Sequence, residues 1–403
     1  MKTIAATLMI SALASTTLFG ANAAVNALKV TDDLSTISYA SALWNKATFS
    51  PVLLYPQTTI RMNDKTANAI NANNHAKKAM VAALYNDQNI AFIIRWPDGT
   101  VNVQKGESTT SYADGFAVQF ASRFDDPNAL PYIGMGSEGR PVVVHLQKVA
   151  KDIYEPNGNG DVALQVNRNQ TDLFGKELKA FDKKVASLGS SDYERSFISE
   201  GFRSMTEIKD GSNNSYSRIR YMKSNKGWEG TLTRALKDEY VNLNAGAIPV
   251  AFAVWDGEKM GRDGLKHLSA WVSVKLQGKS GGDELIAALD GSLVGDAKAG
   301  KAAVAANGCV GCHQIEASDA PNLMGPSLTN IGGYSTAGYL KESLLKPSAA
   351  IVPGYNRNAH SAYQWYTLDN GKRVSTMTDF AWLDETTQND IVAYLQTLKA
   401  EVK

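Results

Sequence analysis

The 403-residue sequence is short of cysteine, of net charge and of long apolar runs. It has only two cysteines, so the fold cannot depend on a disulfide framework. Its 41 Lys and Arg against 40 Asp and Glu leave no basic excess, which argues against a nucleic-acid-binding protein. Nothing after residue 24 offers the roughly 20 apolar residues of a spanning helix, so no membrane span is expected. The chain also lacks internal repeats and low-complexity segments.

The first 23 residues have the pattern of a secretory signal peptide. One basic residue, Lys2, precedes an apolar stretch over 4–19, and the segment closes on the small-residue pattern Ala21-Asn22-Ala23. We therefore expect residues 1–23 to be removed and the protein to be exported to the periplasm. No twin arginine precedes the apolar stretch, so the chain is expected to receive its cofactors after export.

The region 24–277 is predicted to be mainly β. Short segments rich in Val, Ile, Phe and Trp end at Asp-Gly or other glycine signals, which is typical of strands. A β-sandwich is the expected packing, and the polar, partly helical range 151–210 is expected to be an insertion on it. The five clearest strand segments are AALYNDQNIAFIIRW (82–96), DGFAVQF (114–120), RPVVVHLQ (140–147), IPVAFAVW (248–255) and LSAWVSVKL (268–276).

The composition changes after residue 277. The glycine-rich range 278–295 is predicted to be a linker, and 296–403 is predicted to form a second, all-α domain. An alanine-rich helix opens this domain, and apolar residues at helical spacing indicate another helix at its end. Thr387 and Asp390 are expected to form the capping box of that last helix.

Both cysteines lie in the pentapeptide CVGCH, where His313 directly follows Cys312. Two thiols separated by two residues can bond both vinyl groups of one haem, and the adjacent imidazole then reaches the iron from the same side. A disulfide within CVGCH or half of a zinc site is the alternative, but a zinc site would need a second pair of ligands and no other cysteine exists. The motif therefore predicts a covalent haem c attached to Cys309 and Cys312.

Residues 296–403 resemble a small class I cytochrome c domain. The resemblance rests on the helix before CVGCH, the loop PNLMGPSLTNIGG, the MTDF segment and the C-terminal helix ending VAYLQTLK. It implies that His313 is the proximal iron ligand and that the Gly325-Pro326 turn offers a carbonyl to its other ring nitrogen. It also implies that Met377 is the distal ligand, where a thioether raises the potential of an electron carrier.

Met324 and His360 are the competing candidates for the distal position. Met324 follows His313 by only eleven positions, in the loop expected to wrap the proximal side, so a packing role is expected for it. With both axial positions filled, the iron has no vacancy for a substrate. This predicts electron transfer rather than oxygen or peroxide chemistry.

A second resemblance covers the β region. The phrases SALWNKA, MVAALYNDQNIAFIIRWPDGT, DGFAVQF, LPYIGMGS, KGWEGTLTRAL, VAFAVWDGE and GRDGLKHLSAW occur in this order. Together they resemble the haem b-binding gamma subunit of ethylbenzene dehydrogenase and of related molybdenum enzymes of the dimethyl sulfoxide reductase family. The resemblance implies a β-sandwich that holds one non-covalent haem b between a methionine and a lysine.

Matching the phrases places the haem b ligands at Met135 and Lys266. A lysine has an ordinary pKa near 10.4, and its amine must lose a proton before it can bind iron. Burial in an apolar pocket and the charge of the metal both favour that loss. Without the resemblance, Lys266 would be interpreted as an exposed lysine and Met135 as a core residue.

Three histidines of the β region are alternatives to these ligands or lie near them. His267 is the rival ligand, although alternation on a strand would turn it to the face opposite Lys266. His145 stands where the gamma-subunit family often carries tryptophan, which affects the expected pocket wall more than the ligands. His75 lies in a polar stretch and is expected at the surface.

The function predicted from these sites is that of a periplasmic di-haem protein that transfers electrons and needs no catalytic residues of its own. The resemblance implies a molybdenum catalytic subunit and an iron-sulfur subunit as partners, with soluble periplasmic carriers beyond the cytochrome. A self-contained di-haem enzyme such as a peroxidase is one alternative. A haem-sensing β domain tethered to a cytochrome c is the other.

Overall fold

A computed structural model describes residues 24–62, 64–105, 112–151, 192–201, 204–208, 213, 215–352 and 365–403. The predicted signal peptide, 1–23, and the central part of the predicted insertion, 152–191, lie outside the described residues. None of the helices built from the described residues is long and apolar enough to cross a membrane.

The described part of the N-terminal region contains fourteen strands that belong to one sheet. Each segment that the sequence marked as a strand contains one or two of them, and 82–96 spans parts of the two strands of a hairpin. The strands are β1 (Val25–Lys29), β2 (Ser50–Pro56), β3 (Lys77–Tyr85), β4 (Asn89–Pro97), β5 (Gln104–Lys105), β6 (Gly115–Ala121), β7 (Val142–Lys151), β8 (Asp192–Ser199), β9 (Thr206–Glu207), β10 (Tyr216–Met222), β11 (Gly227–Ala235), β12 (Ala247–Trp255), β13 (His267–Leu268) and β14 (Val272–Leu276).

The main path through the sheet runs β10-β11-β4-β3-β1-β14-β12-β6-β7-β8-β9. Most neighbours are antiparallel, but β1 pairs in parallel with both β3 and β14. A second connection runs through β2, which pairs with β3, and β13, which pairs with β2 and β12. The half of the sheet that contains β3 and β4 is therefore joined to the half that contains β12 and β6 by two routes, one through β1 and β14 and one through β2 and β13.

The two halves face each other around an apolar core. The ring of Phe92, on β4, lies 5.9 Å from the rings of both Phe120, on β6, and Phe252, on β12. Strands β6 and β12 are not neighbours of β4 in the sheet, so these contacts cross between the layers. Large rings at this distance contribute much of the buried apolar area. The predicted β-sandwich is thus confirmed.

Strand β12 shows how the sequence produces this packing. All nine of its residues are buried, which explains why the segment IPVAFAVW is a continuous apolar run rather than a strict alternation. The residues that face the core between the layers are Ile248, Val250, Phe252 and Val254. Ala251 and Ala253 face the opposite side and belong to a second apolar cluster. Both faces of the strand are therefore covered.

The last part of the predicted insertion, 151–210, overlaps strands of the sheet. Strand β8 pairs with β7 over eight residue pairs, and β9 pairs with β8. The sequence did not indicate these strands because DYERSFIS is largely polar. An edge region of a sheet can carry polar side chains without losing its backbone pairing.

The C-terminal region is mainly helical, as predicted. A small two-stranded hairpin, β15 (Tyr366–Asp369) with β16 (Lys372–Ser375), is an addition to the expected all-α fold. Helix α1 (Lys65–Ala72) lies in the β region. The helices that follow the sheet are α2 (Asp283–Ala288), α3 (Ala297–Ala306), α4 (Ile331–Tyr334), α5 (Ala337–Leu345) and α6 (Glu385–Thr397).

The predicted linker, 278–295, contains α2, and Leu285 and Leu289 are buried in the second apolar cluster. One local expectation, the capping box of the last helix, was wrong. Helix α6 is capped by Asp384, whose side chain accepts a hydrogen bond from the backbone N–H of Thr387. The predicted box of Thr387 and Asp390 lies too far into the helix, since an N-cap residue precedes the first turn.

The two regions pack tightly against each other. One apolar cluster contains Tyr55 and Trp271 of the sheet domain together with Tyr334 and Leu340 of the helical domain. Gly333 allows the closest approach, since a Cβ atom there would lie 2.3 Å from the Tyr55 ring.

Side-chain hydrogen bonds also join the two domains. Asn330 donates to the carbonyl of Pro56, Arg61 donates to Gln314, Thr329 bonds Thr58, and Arg140 forms two hydrogen bonds with Glu342.

Candidate functional site

A cavity of about 470 Å³ lies in the helical domain beside the CVGCH motif. Cys309, Cys312, His313 and Met377, the four residues predicted to hold haem c, all line it. Its volume falls within the range of about 300–1,000 Å³ that is usual for ligand and cofactor sites. The donor set and the cavity therefore fit a haem. The apolar part of the wall includes Leu328, Ile331, Leu340, Leu344, Ile351 and Phe380.

His313 is held in one orientation. Its Nδ1 lies 2.8 Å from the carbonyl oxygen of Pro326, so the ring donates its Nδ1–H there and leaves the Nε2 lone pair free for a metal. Gly325 makes this contact possible, since a Cβ atom there would lie 2.6 Å from the imidazole. Burial lowers the pKa of His313, which favours the neutral ring that a metal requires.

The two thiols lie on a tight turn. Residues Cys309–Gly311 form a 3-10 turn, and the N–H of His313 donates to the carbonyl of Cys309. Both cysteines are free, so they form no disulfide. Across the part of the chain that the structure describes, no metal-ligand group of three or more His, Cys, Asp or Glu includes this motif. The disulfide and zinc alternatives therefore find no support.

The three distal candidates differ in position. Met377 lines the cavity and packs, partly buried, against the second apolar cluster. Met324 also lines the cavity, but 48% of it is exposed, so it is not the packing residue that the sequence suggested. His360 lies outside the described residues.

The sheet domain also contributes to this cavity, which no sequence motif indicated. Thr59, from the loop after β2, lines it together with Tyr339 of α5. The Thr59 hydroxyl lies 2.9 Å from the hydroxyl of Tyr132, and the Tyr132 ring lies 5.5 Å from the Tyr339 ring. Tyr132 is fully buried and stands three positions before Met135. A connected set of side chains therefore links the helical-domain cavity to the loop that carries Met135.

Lys266 is a buried lysine. Only 6% of it is exposed, its Nζ donates to the carbonyl of Asp263 at 3.1 Å, and it lies over the Trp255 ring at 5.4 Å. Burial is the main cause that lowers the pKa of Lys266 from 10.5 to about 8. Such burial is unusual for a lysine. With a pKa of about 8, a larger fraction of the amine is neutral near pH 7 to 8, and the neutral amine is the form that can bind a metal.

Met135 is in an unusual backbone conformation. Its φ is +76°, a region that non-glycine residues enter at a cost of about 1–3 kcal/mol. The turn is tied to the sheet, because the N–H of Gly201 donates to the Met135 carbonyl at 2.7 Å and Gly136 donates to Tyr132. Strain of this kind persists where the surroundings fix the backbone, and it often occurs at ligand-binding positions.

Gln57 connects the surroundings of Met135 and Lys266. Its backbone N–H donates to the Lys266 carbonyl at 2.9 Å, and a Cβ atom on Gly134 would lie 3.0 Å from its side-chain nitrogen. The Gln57 amide is fully buried, yet neither of its polar atoms has a hydrogen bond of normal geometry within the described structure. An orphaned buried amide is costly, and it indicates a position where a further group belongs. The donor set and this amide fit a bound haem b.

The three other histidines are engaged elsewhere or have no site role. His267 bonds the carbonyl of His75 through Nε2, and burial lowers its pKa to about 4. Its partners differ from those of Lys266, as alternation along a strand requires. His145 faces the sandwich interior, where its Nδ1 lies 2.7 Å from the Ser196 hydroxyl, so it is not part of a pocket wall on the Lys266 side.

Two sequence-family models match the chain. The family described as Ethylbenzene dehydrogenase matches residues 41–267, and the family described as Cytochrome c matches residues 297–399. The first match covers more than half of the chain and contains both Met135 and Lys266. The second contains the CVGCH motif and Met377.

Comparisons with whole proteins add little. No curated protein sequence matches the chain. A family 9 carbohydrate-binding module from Caldicellulosiruptor kristjanssonii has 10% identity and a TM-score of 0.31, covering 64% of this chain and 97% of the module. A putative carbohydrate-binding protein from Bacteroides uniformis has 8% identity and a TM-score of 0.32, covering 63% of this chain and 98% of that protein. Scores this low carry no argument about fold or function.

Proposed function

The chain belongs to the ethylbenzene dehydrogenase family through its N-terminal domain, and on this basis we propose a periplasmic electron-transfer protein with one haem b and one haem c. The two families together support the broader statement that this is a haem-containing electron-transfer protein with a covalent haem c. The proposal adds the second haem, the ligands of both and the cellular compartment. It assigns no catalytic residue to this chain.

Haem c is proposed to be held by His313 and Met377 and attached to Cys309 and Cys312. All four line one cavity, and the hydrogen bond from His313 to Pro326 orients the imidazole before any metal binds. Met377 is preferred to Met324 because a partly buried thioether in an apolar wall is shielded from water, whereas Met324 is half exposed. A histidine and a methionine together favour one-electron chemistry.

Haem b is proposed to be held by Met135 and Lys266. The support comes from the lowered pKa of Lys266, the left-handed backbone of Met135 and the unsatisfied amide of Gln57 beside both segments. Each of these features costs free energy in the haem-free chain. A bound porphyrin with two axial ligands would offset those costs.

The single observation that carries the two-haem proposal is the contact between the two domains. Thr59 belongs to the sheet domain but lines the haem c cavity, and it bonds Tyr132 near Met135. The apolar cluster shared by both domains holds them in a fixed arrangement. Two cofactors in such a protein would keep a constant separation, which one-electron transfer between them requires.

The partners are proposed by family. A molybdenum catalytic subunit and an iron-sulfur subunit would exchange electrons with haem b, and soluble periplasmic carriers would exchange electrons with haem c. The cytochrome domain would then replace a separate carrier protein, because it is part of the same polypeptide.

The test is a haem count on full-length protein exported by a host that attaches haem c. A pyridine haemochrome assay should give one haem b and one haem c per chain, with low-spin spectra that do not change with carbon monoxide. Lys266→Ala should lose haem b and keep haem c, while Lys223→Ala, at an exposed lysine, should keep both. Haem c alone in the unmodified protein refutes the two-haem proposal. A high-spin iron that binds carbon monoxide supports the peroxidase alternative instead.

A further inference from the structure

Three aspartates, each followed by glycine in the sequence, converge at one end of the sandwich. Asp98 follows β4, Asp114 precedes β6 and Asp256 follows β12. All three are buried, with exposed fractions of 6%, 0% and 8%. One carboxylate oxygen from each lies within 4.8 Å of those of the other two. They are the one group of this kind within the described residues.

One cation among the described residues contacts this cluster. It is Lys77, with its Nζ 2.9 Å from Asp256 and 3.6 Å from Asp98. Three carboxylates and one ammonium leave two negative charges in a buried place, which is costly unless a cation or protons compensate them.

The oxygen Oδ2 of Asp98 gives a second, separate indication of a ligand. This atom is buried and accepts no hydrogen bond from any described residue. Its nearest cation, Lys77, is beyond hydrogen-bond distance at 3.6 Å. Asp114, in contrast, accepts bonds from the N–H groups of Asn102 and Gly257 and from the indole of Trp228. Asp98 Oδ2 is thus a buried carboxylate oxygen that faces Lys77 at ion-pair distance but accepts no hydrogen bond from the described residues.

Three carboxylate oxygens that lie within 4.8 Å of one another are close enough to share one cation. Ca²⁺ accepts carboxylate ligands in flexible geometry, whereas Mg²⁺ requires a near-ideal octahedron and usually keeps several of its waters, which a buried site does not favour. We propose that Asp98, Asp114 and Asp256 bind a divalent cation, with Ca²⁺ as the preferred ion.

Such an ion would stabilise the segment that presents Lys266. The Asp256 side chain caps the turn Gly257–Lys259, and its carbonyl accepts the N–H of Gly261. Lys266 follows in the same loop, ten positions after Asp256. A cation that joins Asp256 to β4 and β6 would fix the start of this loop against the sandwich. The site therefore has a structural role and takes no part in electron transfer.

The first experiment measures calcium in the full-length protein itself. After dialysis against a metal-free buffer and addition of Ca²⁺, elemental analysis should find about one Ca²⁺ per chain, and the melting temperature should rise saturably with CaCl₂ and fall in EDTA. MgCl₂ should have a smaller effect at equal concentration. A chain that retains no Ca²⁺ and melts at the same temperature in CaCl₂ and in EDTA overturns the proposal, because Lys77 and two protons would then neutralise the cluster.

Variants distinguish ion binding at the three aspartates from a general change in the stability of the sandwich. Asp98→Asn should abolish the rise with CaCl₂, since it removes one of the three anionic ligands, while Lys77→Met should enlarge the rise by removing the competing cation. Glu229→Gln is the matched control, because Glu229 is another buried carboxylate of the sandwich, bonded to Arg95 and Arg220. It should lower the melting temperature and keep the rise. If the rise disappears with Glu229→Gln and persists with Asp98→Asn, the ion binds elsewhere and the assignment is wrong.

Discussion

The hydroxyls of Thr59 and Tyr132 lie 2.9 Å apart and form a buried hydrogen bond between the haem c cavity and the Met135 loop. Thr59 is on the cavity side of this bond, and Tyr132 continues along the backbone toward Met135. A parallel pair lies next to it, because the hydroxyl of Tyr334 accepts the N–H of Thr58. Tyr334 does not line the cavity, so the two pairs can be compared directly.

We predict that Tyr132→Phe and Thr59→Val slow electron transfer between the two proposed haems severalfold. Both changes remove the bond that links the two sites and leave the shape nearly unchanged. Each should also lower the free energy of unfolding by about 1 kcal/mol, as expected for one buried hydrogen bond. Transfer is measured by following haem c absorbance after pulsed reduction. Tyr334→Phe should show the same loss of stability with an unchanged rate, and equal rates in all variants would contradict the prediction.

The ligand of haem c on the distal side can be identified by comparing two methionines. Met377→Ala should produce a high-spin iron that binds carbon monoxide and a lower reduction potential, because the thioether that stabilises the reduced iron is lost. Met324→Ala is the matched control on the same cavity wall and should leave the spectrum unchanged. The reverse result would assign the distal position to Met324.

The buried amine of Lys266 makes the stability of the haem b-free chain depend on pH. Its folded pKa, about 8, lies below the ordinary value of 10.5, so the unfolded chain binds more protons between these limits. The free energy of unfolding therefore rises with pH across that interval, and the full penalty, roughly 3 kcal/mol, applies below pH 8.

Lys266→Met should remove this penalty. We expect urea unfolding of the haem b-free variant to show higher stability than the unmodified chain at pH 7 and little difference at pH 10.5, while haem b binding is lost. Lys223→Met, at an exposed lysine, should show no such pH-dependent difference. If Lys266→Met is destabilised equally at both pH values, the buried lysine is a structural cation.

The ion pair of Arg140 and Glu342 is expected to hold the two domains together. The pair has two hydrogen bonds, of 2.6 and 2.8 Å, and both side chains are about four-fifths buried. Glu342→Gln should lower the free energy of unfolding by about 1 kcal/mol and increase proteolysis in the 278–295 segment. Glu385→Gln, which breaks the exposed pair with Lys341, should change neither. Equal effects of the two changes would mean that Arg140 and Glu342 do not stabilise the interface.

Several features were predictable because they depend on local spacing. The CVGCH motif places two thiols and an imidazole on one turn whatever the rest of the chain does, and the apolar runs of strands such as β12 indicate burial on both faces. The left-handed conformation of Met135 was not predictable, since methionine rarely adopts it and the hydrogen bond from Gly201 that ties down its carbonyl comes from a distant part of the chain. The polar strand β8 was missed because its stability comes from pairing with β7 rather than from its own pattern.

By itself, the sequence indicated the two domains and the attachment motif, because composition and local spacing show both. The candidate ligands Met135, Lys266 and Met377 came from the resemblance to known families. Asp98, Asp114 and Asp256 show the limit of the sequence: it marks each as a turn beside glycine, but only the sandwich brings the three carboxylates within 4.8 Å. The same is true of Thr59, which reaches the haem c cavity from more than 200 positions away. Contacts of this kind depend on how the sheet layers and the helical domain pack, because burial brings together residues that are far apart in the sequence.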